Sequence, residues 1–374
     1  MLKHPQVHLS KYYFLQRMKK IIHHIFRKNE TKLHILNYLF WECTWRCNLK
    51  CQHCGSDCKS SSTLPDMPFE DFLTAIQPLK KHYPANSITV VITGGEPVLR
   101  KDLADCGKQL RENGFLWGIV TNGYAYNEDI HNQLLSAGMG SITVSLDGLE
   151  NNHNQLRNNS KSFEKAVKAL ELIVESPDLN YDVVTCVHPK NLSELSELKE
   201  FLISKKVKKW RLFTIAPIGR AEEQQELMLS GEQLQKLLDF IAETRTNDSR
   251  IKLQMSCESY VGEYERKVRD SFFFCHAGIN IGSVLIDGSI SACPNIDRSF
   301  IQGNIYHDNL LDIWENRFEV MRNRKWCKTG ICKNCKDFKY CNGGAMHLWN
   351  EKRACIMSCV AEKLQKELKT QSFR

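Results

Sequence analysis

Cysteine is the residue through which this sequence could do most chemistry, with sixteen among 374 residues. Thiols form disulfides, bind metal or pack as small hydrophobes, and their positions separate these uses. Cys106 and Cys186 stand singly in apolar surroundings and read as core residues, whereas the others crowd into residues 43–58 and 257–359. In the first zone Cys47, Cys51 and Cys54 have the spacing C-x3-C-x2-C. Three thiolates on one loop can wrap a corner of a cubane 4Fe-4S cluster and leave its fourth iron open to another ligand. Zinc is the competing reading. Structural zinc takes four ligands, commonly from two separated C-x2-C pairs, and His53 lies between the cysteines rather than at second-pair spacing. Cys43 and Cys58 flank the triplet and could be spare ligands, but are expected to be structural.

The second zone sets Cys275 ahead of Gly288 and Cys293, then Cys332, Cys335 and Cys341, and closes with Cys355 and Cys359. Cys257 and Cys327 are further thiols that could be recruited. Cys332 and Cys335 with two later cysteines would satisfy a tetrahedral zinc as well as an iron-sulfur cluster. Between the zones stand polar turns. In Gly94-Gly95-Glu96-Pro97 the glycines let backbone approach a ligand closely, and the carboxylate can pair with an ammonium. Thr121-Asn122-Gly123 and Ser145-Leu146-Asp147-Gly148, with Arg157 downstream, are further candidates, as is the loop 216–221. Asn-Gly and Asp-Gly are also ordinary turn formers, so each of these positions keeps a purely structural reading.

These residues must be positioned by regular elements, and from residue 33 apolar, often β-branched runs alternate with helical segments. Strands are predicted at 35–41, 87–93, 116–121, 141–146, 182–187 and 210–215, and helices at 68–82, 101–113, 127–137, 162–175, 192–204 and 231–244. Six βα units imply a parallel sheet, because each crossover needs a helix to return the chain. The expected fold is α/β, a partial (β/α)6 TIM-like barrel, with chemistry at the C-terminal ends of its strands, where the motifs fall. Composition turns cysteine-rich near residue 250, which divides the chain into 1–32, 33–249 and 250–374. Residues 12–27 read as a basic amphipathic helix expected to pack on the next domain; contact with a membrane surface or partner is the alternative.

The formal charge of +8 counts every cysteine as neutral. A 4Fe-4S core held by four thiolates carries about −2, so two or three clusters would cancel most of the excess. The basic run at 205–209 reads as a solvated helix end with no aromatic platform beside it, and no nucleic-acid partner is expected. The N-terminus lacks an apolar h-region and a small-residue cleavage site, and no stretch has the roughly 20 apolar residues of a spanning helix. The expectation is a reducing, cytoplasmic setting.

Cys47, Cys51 and Cys54 after the first strand, followed by Gly94-Gly95-Glu96-Pro97 after the second, resemble the radical S-adenosylmethionine (SAM) superfamily. The resemblance implies a SAM-binding cluster on the three cysteines, with the SAM amino group held by the Gly-Gly-Glu-Pro turn. It further implies Asn122, Ser145 and Asp147 beside the ribose or substrate, Arg157 on the SAM carboxylate, and loop 216–221 facing adenine or substrate. The later cysteines resemble the SPASM domain, which implies one or two auxiliary 4Fe-4S clusters drawn from Cys275, Cys293, Cys332, Cys335, Cys341, Cys355 and Cys359. Ala345 stands where that pattern usually has a cysteine. The nearer auxiliary cluster is thus three-ligated, completed by Cys327 or Cys257, or absent. The implied activity is reductive cleavage of SAM to a 5′-deoxyadenosyl radical for modification of a peptide or protein, with ferredoxin or flavodoxin as electron donor. Tetrapyrrole modification and sulfatase maturation are the enzymatic alternatives. A non-catalytic iron-sulfur or zinc-binding protein is the alternative of another class, and it would have no need of an amino-acid-binding turn.

Overall fold

The structure is a computed structural model describing residues 5–58, 64–256, 258–350 and 354–371; Cys257 lies outside them. The chain opens with helix α1 (Pro5–Leu33) and then alternates through β1 (Tyr38–Thr44), α2 (Phe69–Ile76), β2 (Thr89–Gly94), α3 (Leu103–Glu112), β3 (Leu116–Thr121) and α4 (Glu128–Ser136). It continues with β4 (Ser141–Ser145), α5 (Glu150–Arg157), α6 (Ser162–Val174), β5 (Asn180–Val187), α7 (Leu195–Ser204), β6 (Lys209–Thr214), α8 (Gly231–Asn247) and β7 (Lys252–Met255). Strands β1 to β7 lie side by side in sequence order, and each pairs in parallel with the next. The six expected strands are present. The seventh, β7, was too short to show a period, but it buries Leu253 and Met255 and extends the sheet past residue 250.

The cysteine-rich part contributes β8 (Ile281–Val284), β9 (Ser289–Ser291), β10 (Gly303–Asn304), α9 (Leu310–Asn316), α10 (Glu319–Arg322), α11 (Phe338–Cys341), β11 (Trp349–Asn350), β12 (Cys355–Ile356) and α12 (Val360–Gln371). It does not stand apart from the barrel. Strand β8 pairs in parallel with β1, from Tyr38 opposite Ile281 to Trp41 opposite Val284, and β9 and β10 continue as an antiparallel edge. One ten-stranded sheet therefore runs through both halves of the chain.

Two apolar cores stabilise it. Trp41, stacked on Phe72 with centroids 4.6 Å apart, shares one core with Trp117, Trp314 and Trp349; Trp210, Leu212 and Leu237 belong to a second, under β5–β7. The helix predicted over 68–82 stops at Ile76, because Pro78 has no N–H to donate, and the segment continues as a 3₁₀ turn over Gln77–Lys81. Helix α5, too short for a periodic signal, was not expected. Helix α1 extends beyond the predicted 12–27 at both ends. The basic run at 205–209 lies on the surface, with Lys205 paired to Glu171 and Lys206 to Glu175.

Candidate active site

The first cysteine loop leaves the C-terminal end of β1 and is held from both sides. From β2, Gly95 N donates to Thr44 O at 2.7 Å and Glu96 N to Arg46 O at 2.9 Å. Gly94 has φ +131°, and a Cβ on Gly95 would lie 2.2 Å from Arg46 O, so neither position accepts a side chain without moving the loop. From the loop after β6, Arg220 N donates to Cys54 O at 3.0 Å and Arg220 Nε to Cys51 O at 2.6 Å; Nη1 reaches Cys58 O at 2.9 Å. Loop 216–221 is thus a strap across the cysteines.

Cys47, Cys51 and Cys58 are buried in one small cluster, with Cys54 half-buried against it. Burial pushes the Cys47 thiol up to about 11 and raises Cys51. The Cys54 thiol is held below its ordinary value, chiefly by a hydrogen bond from Cys58, so Cys58 partners a candidate ligand rather than merely packing. Two nitrogens address the sulfurs: Asn122 Nδ2 lies 3.8 Å from Cys47 Sγ, and Arg157 Nη1 lies 3.8 Å from Cys51 Sγ. Donors aimed at sulfur stabilise thiolate and tune a cluster. Three thiols on one loop with such donors fit the corner of a cubane.

The polar turns converge here. Glu96 is buried, and burial raises its carboxyl to about 7. Its oxygens accept from Thr121 Oγ1 at 2.8 Å and Asn122 N at 2.7 Å, so it also fixes the turn after β3. Asp147 is buried; burial opposes its charge, but Arg157, with Nε and Nη2 each 2.6 Å away, holds it far below the usual carboxylate range. Arg157 therefore faces Asp147 and Cys51. Asp147 also accepts from Cys186 N at 2.8 Å, while Ser145 is half-buried at the end of β4. Ligand-type atoms of His53, Asp147 and Cys186 lie within 4.8 Å of one another, so Cys186, read from sequence as a core residue, faces the site. Burial lowers His53 to about 4 and keeps its imidazole neutral.

A cavity of about 400 Å³ opens beside the loop at Gly55 and Ser56. Its walls come from both halves of the chain: Glu42, Trp45 and Ile218 on one side, Arg298, His347 and Trp349 on the other. Glu42 accepts from Ile286 N at 3.0 Å, which ties the end of β1 to the end of β8. Sequence reasoning did not single out Glu42, His347 or Arg298 as site residues. The signal available was weak: Glu42 lies near the end of the strand that enters the cysteine loop.

In the second cysteine zone Cys327 lies between two sets of thiols, within reach of Cys332 and Cys341 on one side and of Cys275 on the other. Cys332, Cys335, Cys341 and Cys359 lie within electrostatic reach of one another, and burial raises Cys332 to about 11 and Cys341 to about 12. Cys355 lies in β12 opposite Asn350. Cys275 is near Cys327; burial pushes its thiol up, but the Arg324 guanidinium and the N–H groups of Met346 and Ala277 hold it below its ordinary value. Cys327 is buried against the turn after Cys341, where a Cβ on Gly343 (φ +79°) would lie 2.7 Å from Cys327 Cβ. Ala345, two residues beyond Gly343, is itself buried.

Residues 41–202 match the family described as the radical SAM superfamily, and residues 275–336 match an iron-sulfur cluster-binding domain, SPASM. The chain is a radical SAM enzyme with a SPASM domain. Its cofactors are 4Fe-4S clusters and SAM. This radical SAM chain is 23% identical to the Fe-coproporphyrin III synthase of Methanosarcina barkeri, across 91% of this chain and 92% of that protein. It is 26% identical to the mycofactocin maturase MftC of Mycolicibacterium smegmatis, across 82% of this chain and 77% of that protein. Among solved structures, Streptococcus suis SuiB bound to its precursor peptide SuiA superposes with TM-score 0.67 at 17% identity, over 93% of this chain and 78% of that one. The enzyme anSMEcpe with bound AdoMet gives 0.68 at 19% identity, over 90% and 96%. Both share the fold, a partial TIM-like barrel. No described helix is long and apolar enough to cross a membrane.

Proposed function

We propose that this radical SAM enzyme modifies a peptide or protein, with Cys47, Cys51 and Cys54 holding the SAM-cleaving cluster. The bound cofactors supply one electron and a 5′-deoxyadenosyl radical able to abstract hydrogen from an unactivated C–H bond. The chain's own residues bind, orient and exclude water. Asn122 and Arg157 donate to cluster sulfurs, Glu96 receives the SAM ammonium, and Ser145 and Asp147 border the ribose side. The core chemistry is assigned to residues 33–249 and the auxiliary clusters to 250–374. For the distal auxiliary cluster we assign Cys332, Cys335, Cys341 and Cys359. For the nearer one we assign Cys275, Cys293 and Cys327, with Cys327 replacing the thiolate that Ala345 lacks. Reductant is assigned to a small one-electron carrier such as ferredoxin or flavodoxin.

The observation that carries the choice of substrate is the charge of the cavity. Glu42, Glu222 and Asp297 line it together with a single guanidinium, Arg298, itself paired with Asp287, among apolar and neutral polar side chains. A tetrapyrrole such as coproporphyrin brings four carboxylates, and an acidic cavity repels them. A neutral or basic peptide side chain suits both the charge and the volume. The second reading, tetrapyrrole chemistry, is kept by the similarity to the Fe-coproporphyrin III synthase, which spans nearly all of both chains.

The test is anaerobic: reconstituted enzyme, dithionite and SAM are incubated with short peptides encoded beside the gene, or with Fe-coproporphyrin III, and 5′-deoxyadenosine and mass changes are followed. A SAM-dependent mass change in a peptide is expected. A mass change in the tetrapyrrole alone overturns the substrate reading. 5′-Deoxyadenosine from a Cys47→Ala/Cys51→Ala/Cys54→Ala variant overturns the cluster assignment.

A further inference from the structure

Over its described side chains, residues 18–33, helix α1 carries two opposite faces, of which one packs on the body of the protein. On the inner face, His23 Nε2 lies 3.2 Å from Phe273 O, Arg27 donates to the backbone oxygens of Tyr340 and Lys339 (2.6 Å to the latter), and Glu30 accepts from Asn280 Nδ2 at 3.0 Å. Lys20 lies over the Tyr340 ring, 5.0 Å from its centroid. Residues 20, 23, 27 and 30 form one helical stripe, and it docks α1 on the SPASM half beside Cys341.

On the outer face stand Met18, Ile21, Ile22 and Ile25, at i, i+3, i+4 and i+7, bordered by Phe26. Ile22 is 61% exposed, Ile25 53% and Phe26 48%. A contiguous apolar stripe in water is costly, and on soluble proteins such stripes mark a contact. Exposed cations flank it: Lys19 on one side, Lys28 and Lys32 on the other. Across Pro5–Leu33 the sequence carries seven Lys and Arg against one acidic residue, Glu30, whose carboxylate is already bound to Asn280.

We propose that this outer face of α1 lies on an anionic membrane surface, with the apolar stripe inserted at the headgroup boundary and the flanking cations on lipid phosphates and carboxylates. The charge pattern decides between occupants. A second copy paired through the same stripe would bring Lys19, Lys28 and Lys32 against their own counterparts with no free carboxylate between them. An anionic surface satisfies both the apolar area and the cations. The arrangement is peripheral, since α1 remains tethered to the body through His23, Arg27 and Glu30. It stands independently of the substrate reading.

The test uses the full-length, anaerobically purified holoenzyme. It is sedimented with vesicles of phosphatidylcholine alone, or of phosphatidylcholine and phosphatidylglycerol in equal parts. Binding to the mixed vesicles is expected, falling with added salt, and weak binding to phosphatidylcholine alone. Ile22→Asp/Ile25→Asp should lower vesicle affinity at least about tenfold, from the lost apolar burial, with iron content and 5′-deoxyadenosine formation in free solution unchanged. Lys28→Glu/Lys32→Glu should lower it about tenfold at low salt. Failure of the wild type to bind the mixed vesicles, or equal binding by both variants, overturns the proposal. So does a wild-type dimer that Ile22→Asp/Ile25→Asp converts to monomer, because a second copy then covers the stripe.

Discussion

At Glu96 a buried carboxyl accepts from hydroxyl and backbone donors, and burial raises it to about 7 against those donors and the Arg157 charge. The folded chain therefore holds this proton more tightly than the unfolded chain does. The associated stability is fully present below about 4.5 and is lost as pH rises through about 7. In the cofactor-free protein, wild type should lose stability relative to Glu96→Gln over that window, read as the difference between their thermal midpoints. SAM affinity should run the other way, tightening as pH rises through about 7 while the carboxylate forms, and Glu96→Gln should weaken it about 10- to 100-fold. Equal affinity in the variant would remove the ammonium role. Asp147 and Arg157 are a different case, a buried pair. Arg157→Ala strands a charge, and about 3–5 kcal/mol of stability should be lost, measured by denaturant titration of the cofactor-free chain. Asp147→Asn/Arg157→Met should recover part of it.

Which of these residues the sequence reveals depends on how local their chemistry is. The proposed cluster ligands Cys47, Cys51 and Cys54 fall within eight residues, and the strap at 216–221 was expected to face the site. Glu42 and His347 share a cavity only because distant strands meet, and nothing in either neighbourhood announces that. Cys58 was legible as a cysteine near a cluster loop but not as the hydrogen-bond partner of Cys54, which depends on how the loop turns.

Strand ends do the positioning at the scale of elements. The last residues of β2 pass directly beneath the cysteine loop, with Gly95 closer to Arg46 O than any side chain allows. Gly95→Ala should therefore cost more than a glycine-to-alanine change in a free turn, and its effect should be on the neighbouring loop. The expected outcome is a loss of about one cluster's iron on reconstitution, with the SPASM iron retained. Loss of all iron would mean that the whole fold had been lost. The parallel strands β1–β6 were readable from apolar runs, whereas β7 and β8, of four residues each, and the polar helix α5 were not, being stabilised by neighbours rather than by propensity. Helix α1 shows the limit of pattern reading in another way. Its amphipathic sequence predicted packing, yet the face that packs is the one carrying His23, Arg27 and Glu30.

The whole molecule is organised by the continuity of its sheet. Removing residues 275–374 would strip β8 from β1 and expose the backbone edge beside Trp41, along with much of the core around Trp314 and Trp349. The fragment 1–274 should aggregate, and its soluble fraction on expression measures this. A freely soluble, cooperatively melting fragment would show the two halves to be independent. Pairing β1 with β8 also sets an order of events during synthesis. Tyr38 and Ile281 are partners separated by 243 positions, and at ~5–20 residues per second that separation lasts about 10–50 s on the ribosome. Throughout that interval Cys47, Cys51 and Cys54 are already made while one edge of their supporting strand has no neighbour. Iron delivered before the C-terminal half emerges would meet an unfinished cradle, so cluster insertion belongs after translation, when the last strand has closed against the first.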